Sequence, residues 1–320
     1  MSLDYDPDFL ELIRPHFQSI QNSWTWEPLD FAAIRDGMPK LLASFLPHSP
    51  ADESVETVQH SVKTFDGAKI SVFRFFLKAM KQKTPTSAIL HMHGGGMIMG
   101  SVVYQKDMLA EYVVNTGAQV FSVEYRLAPE HTGMSLVEDC YAALRWLYDN
   151  TAAFNVDSSR IAVMGDSAGG GLAAGVALLA RDRGLSPPLA KQMLLAPMLD
   201  DRNVTGNKAL EPFALWTVAD NLTGWTAVLG EERGKDNVSG YIAAARSQDV
   251  EDLPRTYIDV GGLDIFRDEA LSYSHRLAKS DIETEIHVYP GLPHCFELFG
   301  SQAPVVANVL QNRYRAIPKI

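Results

Sequence analysis

The sequence is poor in cysteine and in basic residues, and it contains no long apolar run. Only Cys140 and Cys295 are cysteines among 320 residues, so a disulfide framework is excluded and a reducing compartment, the cytoplasm, is expected. The 28 basic residues are outnumbered by 39 acidic ones, for a net charge of −11, which disfavours nucleic acid and anionic membranes as partners. No stretch reaches the length of a membrane span.

Strand-length apolar runs recur along the chain and alternate with helical segments. Hydrophobic residues make up 46% of the sequence, enough for one large core. Buried runs separated by helices predict an α/β fold, in which helices cover both faces of a mostly parallel, eight-stranded sheet. The expected strands are an N-terminal hairpin with Asp66-Gly67 as its turn and six further strands near 87–92, 119–124, 160–164, 191–196, 255–260 and 284–289.

A serine stands where one predicted strand gives way to a helix. Ser167 lies in Gly-Asp-Ser-Ala-Gly at 165–169, after the apolar run 160–164 and before the small-residue run 170–177. Small neighbours allow a sharp turn that lifts the hydroxyl above the sheet, and the helix start directs N–H groups toward it. The pattern predicts Ser167 as a nucleophile and the Ala168 amide as an oxyanion donor. Alone, Gly-x-Ser-x-Gly also occurs in ordinary loops.

Three consecutive glycines, 94–96, follow the strand predicted near 87–92. A flexible turn would explain them, but the residues that come next are apolar rather than polar as in a linker. Glycines lose much entropy on folding, so such a run is expected where the chain approaches something closely. The amides of Gly95 and Gly96 are therefore predicted to hold the oxyanion of a tetrahedral intermediate. We expect His93 to support this loop by hydrogen bonding.

Three motifs occur in a fixed order along the chain. They are His-Gly-Gly-Gly at 93–96, Tyr-Arg-Leu-Ala-Pro-Glu-His at 125–131 and Gly-Asp-Ser-Ala-Gly-Gly at 165–170. Together they resemble the hormone-sensitive-lipase-like family of α/β-hydrolase carboxylesterases. The resemblance implies a Ser-Asp-His triad in chain order, an oxyanion hole from the glycine run and a helical cap. Within the second motif we expect an ion pair between Arg126 and Glu130.

A nucleophilic serine needs a base, and the sequence offers nine histidines. His294 follows the strand-like run 285–289, so it falls at the same sheet edge as Ser167 and is the predicted base. His287 lies inside that run and is interpreted as a packed or edge residue. Cys295 is an alternative nucleophile beside His294, but adjacent residues rarely pair their side chains, and it is interpreted as a half-buried structural residue.

The base in turn needs an acid to orient it. Asp264 lies just beyond the strand run 255–260, where a loop carboxylate can reach the histidine loop, and it matches the position of the acid in the family pattern. Asp259, inside the strand, and Asp268, at a helix start where acids favour the helix dipole, are the alternatives. Asp264 is the predicted third member of the triad.

The resemblance also divides the chain into segments. Residues 1–50 are expected to form N-terminal cap helices. Residues 51–198 and 252–320 are expected to form the α/β-hydrolase catalytic domain. The alternation of strands and helices lapses between them, so residues 199–251 are expected to form a second cap segment.

Four further residues are predicted to contact substrate: Met97, Ile98, Asp166 and Trp216. Methionine is flexible and adapts to varied shapes, so the run that follows the glycines indicates a broad apolar pocket. The family more often has an aromatic residue at the position of Met97.

The predicted function is hydrolysis of short- to medium-chain acyl esters through an acyl-enzyme intermediate, with no metal and no cofactor. Two alternatives stay open. One is a non-catalytic small-molecule receptor on the same fold, and the other is an amidase or peptidase that uses the same triad. Related enzymes pair through their last strand, so a homodimer through residues 284–289 is a further expectation.

Overall fold

The computed structural model of the chain describes residues 3–23, 27, 29–37, 52–79, 84–300 and 302–317. Its centre is an eight-stranded sheet. The strands are β1 (Val55–Lys63), β2 (Lys69–Leu77), β3 (Thr86–Met92), β4 (Gln119–Glu124), β5 (Val156–Asp166), β6 (Lys191–Leu195), β7 (Arg255–Gly261) and β8 (Thr284–Tyr289).

The strands lie in the order β1-β2-β4-β3-β5-β6-β7-β8. Strand β2 runs antiparallel to both of its neighbours, β1 and β4, and all other neighbouring strands are parallel. The predicted α/β fold with a mostly parallel sheet is confirmed. The main difference is that β5 begins at Val156, earlier than the apolar run alone indicates.

Helices connect the strands and cover the sheet. They are α1 (Pro7–Ser23), α2 (31–37), α3 (Val102–Thr116), α4 (Ser135–Asp149), α5 (Thr151–Phe154), α6 (Ala168–Asp182), α7 (Val218–Leu229), α8 (Arg267–Lys279), α9 (Phe296–Gly300) and α10 (Pro304–Ala316). Helices α3 and α10 pack on one face of the sheet, and α4, α6 and α8 pack on the other.

Alternate residues of the central strands enter two cores, one on each face. In β3, Ile89 packs on the α3 side, whereas Leu90 packs with the helices of the opposite face. Met164 and Val163 of β5 divide in the same way. Because both faces of this parallel sheet are buried, both sets of side chains must be apolar, which explains the unbroken apolar runs in the sequence.

The direction of the strands decides where polar groups gather. Strands β3, β5, β7 and β8 are parallel to one another, so the loops that follow their carboxyl ends open on one edge of the sheet. The glycine run follows β3, Ser167 follows β5, and the loops after β7 and β8 carry Asp264 and His294.

The predicted ion pair between Arg126 and Glu130 is wrong. Arg126 donates to both oxygens of the buried Asp139 in α4, at 2.7 and 2.8 Å, and to Asp66 in the β1–β2 turn at 2.7 Å. Glu130 accepts two bonds at 2.7 Å from Arg35 of α2. Because a buried carboxylate is costly without a paired charge, Asp139 takes the guanidinium, and this loop is bound to other elements rather than to itself.

All eight strands fall within residues 51–198 and 252–320. The segment 199–251 contains α7 and three short 3₁₀ turns but no strand. Residues 38–50 of the first predicted cap segment lie outside the described residues. The division into a catalytic domain and two cap segments stays a prediction.

Candidate active site

Ser167 occupies the turn between β5 and α6. Its backbone is left-handed, with φ 56° and ψ −119°, a conformation that costs a non-glycine residue free energy and persists where the surroundings impose it. A Cβ on Gly169 would overlap the carbonyl oxygen of Met92 at the end of β3, so this side of the turn requires glycine. The Ser167 N–H donates to Leu195 O of β6 at 2.8 Å. These contacts hold the hydroxyl at the sheet edge.

His294 and Asp264 meet Ser167 at this edge. Ser167 Oγ donates to His294 Nε2 at 2.9 Å, and His294 Nδ1 donates to Asp264 Oδ2 at 2.6 Å. The other oxygen of Asp264 accepts from the Phe266 N–H at 2.9 Å, which fixes the carboxylate. Relative exposures of 4% for Ser167 and His294 and 1% for Asp264 show that this hydrogen-bonded chain is shielded from water. The structure brings the three residues of the predicted triad together, and their catalytic roles stay a prediction.

Opposing effects act on the charge of His294. Burial disfavours the protonated ring, but the Asp264 carboxylate outweighs this effect, so the pKa of His294 lies well above its ordinary value. Burial raises the pKa of the Cys295 thiol, which is therefore neutral near pH 7 and a weak nucleophile. Ser167 Oγ is the hydroxyl that is hydrogen-bonded to the imidazole at Nε2.

The glycine run forms a loop that faces Ser167. Gly95 and Gly96 have φ values of 116° and 60°, which glycine adopts without steric cost. Within the described part of the chain, no acceptor pairs with the backbone N–H groups of Gly95, Gly96 or Ala168. Buried N–H groups are ordinarily paired. Three unpaired donors beside a serine hydroxyl are thus available to a negatively charged oxygen.

His93 supports the glycine loop as expected. Its Nδ1–H donates to Gly94 O at 2.8 Å, and its ring stacks on Tyr125 with the centroids 4.2 Å apart. The Tyr125 hydroxyl donates to His93 O at 2.7 Å. Burial lowers the pKa of His93, which keeps the ring neutral, as its role as a structural donor requires.

Asp166, predicted to contact substrate, borders the cavity but directs both carboxylate oxygens into the protein. Oδ2 accepts from Gly94 N at 2.9 Å and from Gln105 Nε2 at 2.8 Å, and Oδ1 accepts from His91 Nε2 at 3.1 Å. Burial opposes the charge on this carboxylate, yet these donors lower the pKa of Asp166 below its ordinary value. The carboxylate is therefore engaged by protein groups rather than free for a substrate.

A cavity opens beside Ser167 and His294, with the glycine loop on one side. Its other walls are mainly apolar and are formed by Met99, Tyr104, Leu215, Trp216, Leu298 and Phe299. Trp216 is one of the predicted contact residues, and its ring lies directly against Gly96. Because Trp216 belongs to the segment 199–251, that segment provides part of the cavity wall.

The structure contradicts the predicted substrate contacts of Met97 and Ile98. Both are 1% exposed and belong to the main core rather than to the described wall of the cavity. Met97 has φ 64°, so the chain turns sharply after the glycines. The first two apolar side chains point into the core, and Met99 is the member of the run that reaches the cavity.

Sequence reasoning missed a buried ion-pair cluster behind the histidine loop. Arg313 of α10 donates to both oxygens of Asp259, at 2.7 and 2.9 Å, and to Glu297 of α9 at 2.8 Å. Asp259, the alternative acid, is therefore paired with an arginine, and the carboxylate that His294 contacts is that of Asp264. An arginine among the apolar residues of the last helix is the signal that could have indicated this cluster.

The fold and the site define a class, the α/β hydrolases with a serine at a strand–helix turn. A model of the α/β hydrolase fold family matches residues 89–298, well over half of the chain. The chain therefore belongs to this family.

Named relatives and a solved structure agree with that membership. The chain is 32% identical over 232 residues to Esterase LipI of Mycobacterium tuberculosis, covering 69% of this chain and 68% of that protein. It is 34% identical over 224 residues to Carboxylesterase NlhH of the same organism, covering 69% of each. The structure of a bacterial heroin esterase superimposes with a TM-score of 0.84 at 31% identity, covering 98% of this chain and 97% of that one. The predicted class, a serine carboxylesterase of the hormone-sensitive-lipase-like family, is confirmed.

The described residues contain neither a membrane-spanning helix nor a metal-binding cluster. None of their helices combines the length and the apolar character that crossing a bilayer requires. In the same residues, no three side chains among His, Cys, Asp and Glu come together in a way that would hold a metal ion.

Proposed function

We propose that the protein hydrolyses carboxylic esters with Ser167 as nucleophile, His294 as base and Asp264 as the orienting acid. The observation that carries the proposal is the unbroken hydrogen-bonded chain from Asp264 through His294 to Ser167, beside backbone amides that have no acceptor among the described residues. The names of the relatives, Esterase LipI and Carboxylesterase NlhH, support an ester as the substrate.

The geometry supports a two-step reaction. As Ser167 Oγ attacks the ester carbonyl, its proton passes to His294 Nε2, and the charge of Asp264 stabilises the imidazolium. The amides of Gly95, Gly96 and Ala168 stabilise the oxyanion. The intermediate then collapses to an acyl-enzyme, and His294 returns the proton to the departing alcohol. Water activated by the same imidazole attacks the acyl-enzyme and releases the acid.

The walls of the cavity support short- to medium-chain acyl esters. They are apolar on the side of Met99, Leu215 and Leu298, and burying an apolar chain there contributes about 0.8 kcal/mol per methylene. We expect kcat/KM for p-nitrophenyl esters to rise from acetate to a maximum between butyrate and octanoate. A sharp optimum at acetate would contradict this part of the proposal.

The decisive experiment compares Ser167→Ala with the unaltered protein. The variant lacks the attacking oxygen, so p-nitrophenyl butyrate turnover should fall by about 10⁵-fold or more, to what binding and the oxyanion donors alone provide. A fluorophosphonate probe should label the unaltered protein and leave the variant unlabelled. The melting temperature of the variant should be retained, because no packing is lost.

The same experiment separates the alternatives. A non-catalytic receptor would neither turn over esters nor react with the probe, whereas the intact hydrogen-bonded chain supports catalysis. An amidase would turn over p-nitroanilides at rates comparable with the matching esters. We expect the ester to be preferred by at least about 100-fold, because the amine leaving group makes collapse of the intermediate harder.

We further propose a homodimer through β8 and residence in the cytoplasm. Strand β8 lies at the end of the strand order, and all six of its residues are partly exposed. Its outer edge therefore offers backbone groups to a second copy. Both cysteines are free thiols, as expected in a reducing compartment. Light scattering should give twice the mass of the 35.3 kDa chain, and a monomer at micromolar concentration would contradict the dimer.

A further inference from the structure

A second histidine–aspartate pair lies under the glycine loop. His91 of β3 donates from Nε2 to Asp166 Oδ1 at 3.1 Å. Its Nδ1 lies 2.9 Å from the hydroxyl of Ser122 in β4, which donates to it when the ring is neutral. His91 and Ser122 are both fully buried. The mechanism above gives this pair no task.

The carboxylate of Asp166 ties the pair to the oxyanion loop. Oδ2 accepts from the Gly94 N–H at 2.9 Å and from Gln105 of α3 at 2.8 Å. The approach to Gly94 is so close that a Cβ there would lie 2.5 Å from Oδ2. The position of this carboxylate therefore fixes Gly94, and Gly95 and Gly96 are the next residues of the chain.

We propose that His91 is a positioning residue that acts through Asp166 to set the oxyanion loop. By holding one carboxylate oxygen, the imidazole orients the other oxygen toward the Gly94 N–H. Donors to an oxyanion help only when they are aimed at its position in the transition state, so a small shift of the loop slows the reaction. Binding of the uncharged ester does not depend on those donors, so KM should hardly change. This inference rests on the proposed function.

The experiment is a double-mutant cycle with His91→Phe and Asp166→Asn on p-nitrophenyl butyrate. Phenylalanine keeps the ring volume without the N–H, and asparagine keeps the shape but replaces an acceptor oxygen with a donor. Each single variant should lower kcat by about 10- to 100-fold, which at most approaches the effect of removing one oxyanion donor. KM should stay within about twofold of the wild-type value. If His91 acts through Asp166, the double variant should be no slower than Asp166→Asn alone.

A second readout isolates the oxyanion donors. A trifluoromethyl ketone forms a tetrahedral adduct on Ser167, and its Ki should rise by about the same factor as kcat falls. His91→Gln retains a side-chain N–H and should recover most of the kcat lost in His91→Phe. If His91→Phe does not fold, His91→Gln and Ser122→Ala take its place in the cycle, with an expected severalfold loss in kcat.

His287→Phe is the matched control, because His287 pairs with Glu285 on β8 at 2.7 Å, away from the cavity. It should leave kcat unchanged. The inference is overturned if His91→Phe turns over at the wild-type rate, if the losses add in the double variant, or if KM rises in step with the fall in kcat. An inactive wild-type protein would instead overturn the proposed function, and this inference with it.

Discussion

Two histidine–aspartate pairs lie near one edge of the sheet, and in each of them the histidine also contacts a serine hydroxyl. His294 and Asp264 meet the hydroxyl of Ser167 at the cavity wall. His91 contacts the hydroxyl of Ser122, which is fully buried, and Asp166 accepts from the backbone N–H of Gly94. In the proposed reaction His294 accepts the proton of Ser167, whereas His91 and Asp166 hold the oxyanion loop in position. The comparison teaches that access to the cavity, which Ser167 has and the fully buried Ser122 lacks, separates the pair proposed to react from the pair proposed to hold the loop.

The strongest test breaks the first pair. Asp264→Asn should lower kcat by about 10⁴-fold, because the amide stabilises the wrong tautomer and removes the charge that stabilises the imidazolium. Only the neutral ring accepts the Ser167 proton, so wild-type kcat/KM falls as pH drops through the raised pKa of His294. The variant loses the charge of Asp264, which raises the pKa of His294, so the acid limb of the residual activity should move to lower pH. A pH–rate profile measures this shift, and an acid limb that moves to higher pH would contradict the role of Asp264.

The buried ion pair between Arg313 and Asp259 extends the comparison, because neither residue has a role in the proposed reaction. Arg313→Met leaves the fully buried Asp259 unpaired, which should lower the free energy of unfolding by about 3–5 kcal/mol. Urea unfolding measures the loss. The control is Arg145→Met, which removes an exposed i,i+4 pair with Asp149 and should cost at most about 0.5 kcal/mol. Equal losses in the free energy of unfolding for the two variants would contradict a particular cost of leaving the buried Asp259 without its arginine.

The second pair can be broken from the backbone side. In Gly94→Ala the added Cβ would lie 2.5 Å from Asp166 Oδ2, so either the carboxylate or the loop must move. We expect kcat to fall by about 10- to 100-fold with little change in KM, since only donors to the oxyanion are displaced. Gly117→Ala is the control: this glycine also has positive φ, 71°, but its Cβ would meet nothing within 4 Å. It should cost about 1 kcal/mol of stability and leave kcat unchanged.

Much of the fold and the centre of the site could be predicted from the sequence. The strands carry apolar side chains on both faces, so they appear as unbroken runs, and the parallel order places the loops after them at one edge. Ser167 follows such a strand directly, and Asp264 and His294 each follow one within a few residues. Their meeting is thus a consequence of topology, which local pattern can indicate.

The sequence could not indicate where side chains point after irregular turns. It also could not indicate which of several distant residues a charged side chain pairs with. Met97 and Met99 are equally apolar, and the left-handed turn at Met97 decides which of them reaches the cavity. Arg126 pairs with Asp139 rather than Glu130 because only one of these acids is buried. Nothing in the sequence near His91 indicates that its ring faces Asp166.

The separation of Ser167 and His294 by 127 positions has a consequence for biosynthesis. When the ribosome has completed α6, the proposed nucleophile and its turn already exist, but the proposed base has not yet been translated. A nascent chain therefore carries an inert serine until β7, β8 and the loop beyond them have emerged and docked. Ester turnover during synthesis would accordingly report the arrival of the C-terminal third of the polypeptide, and premature termination anywhere before residue 294 would yield a silent product.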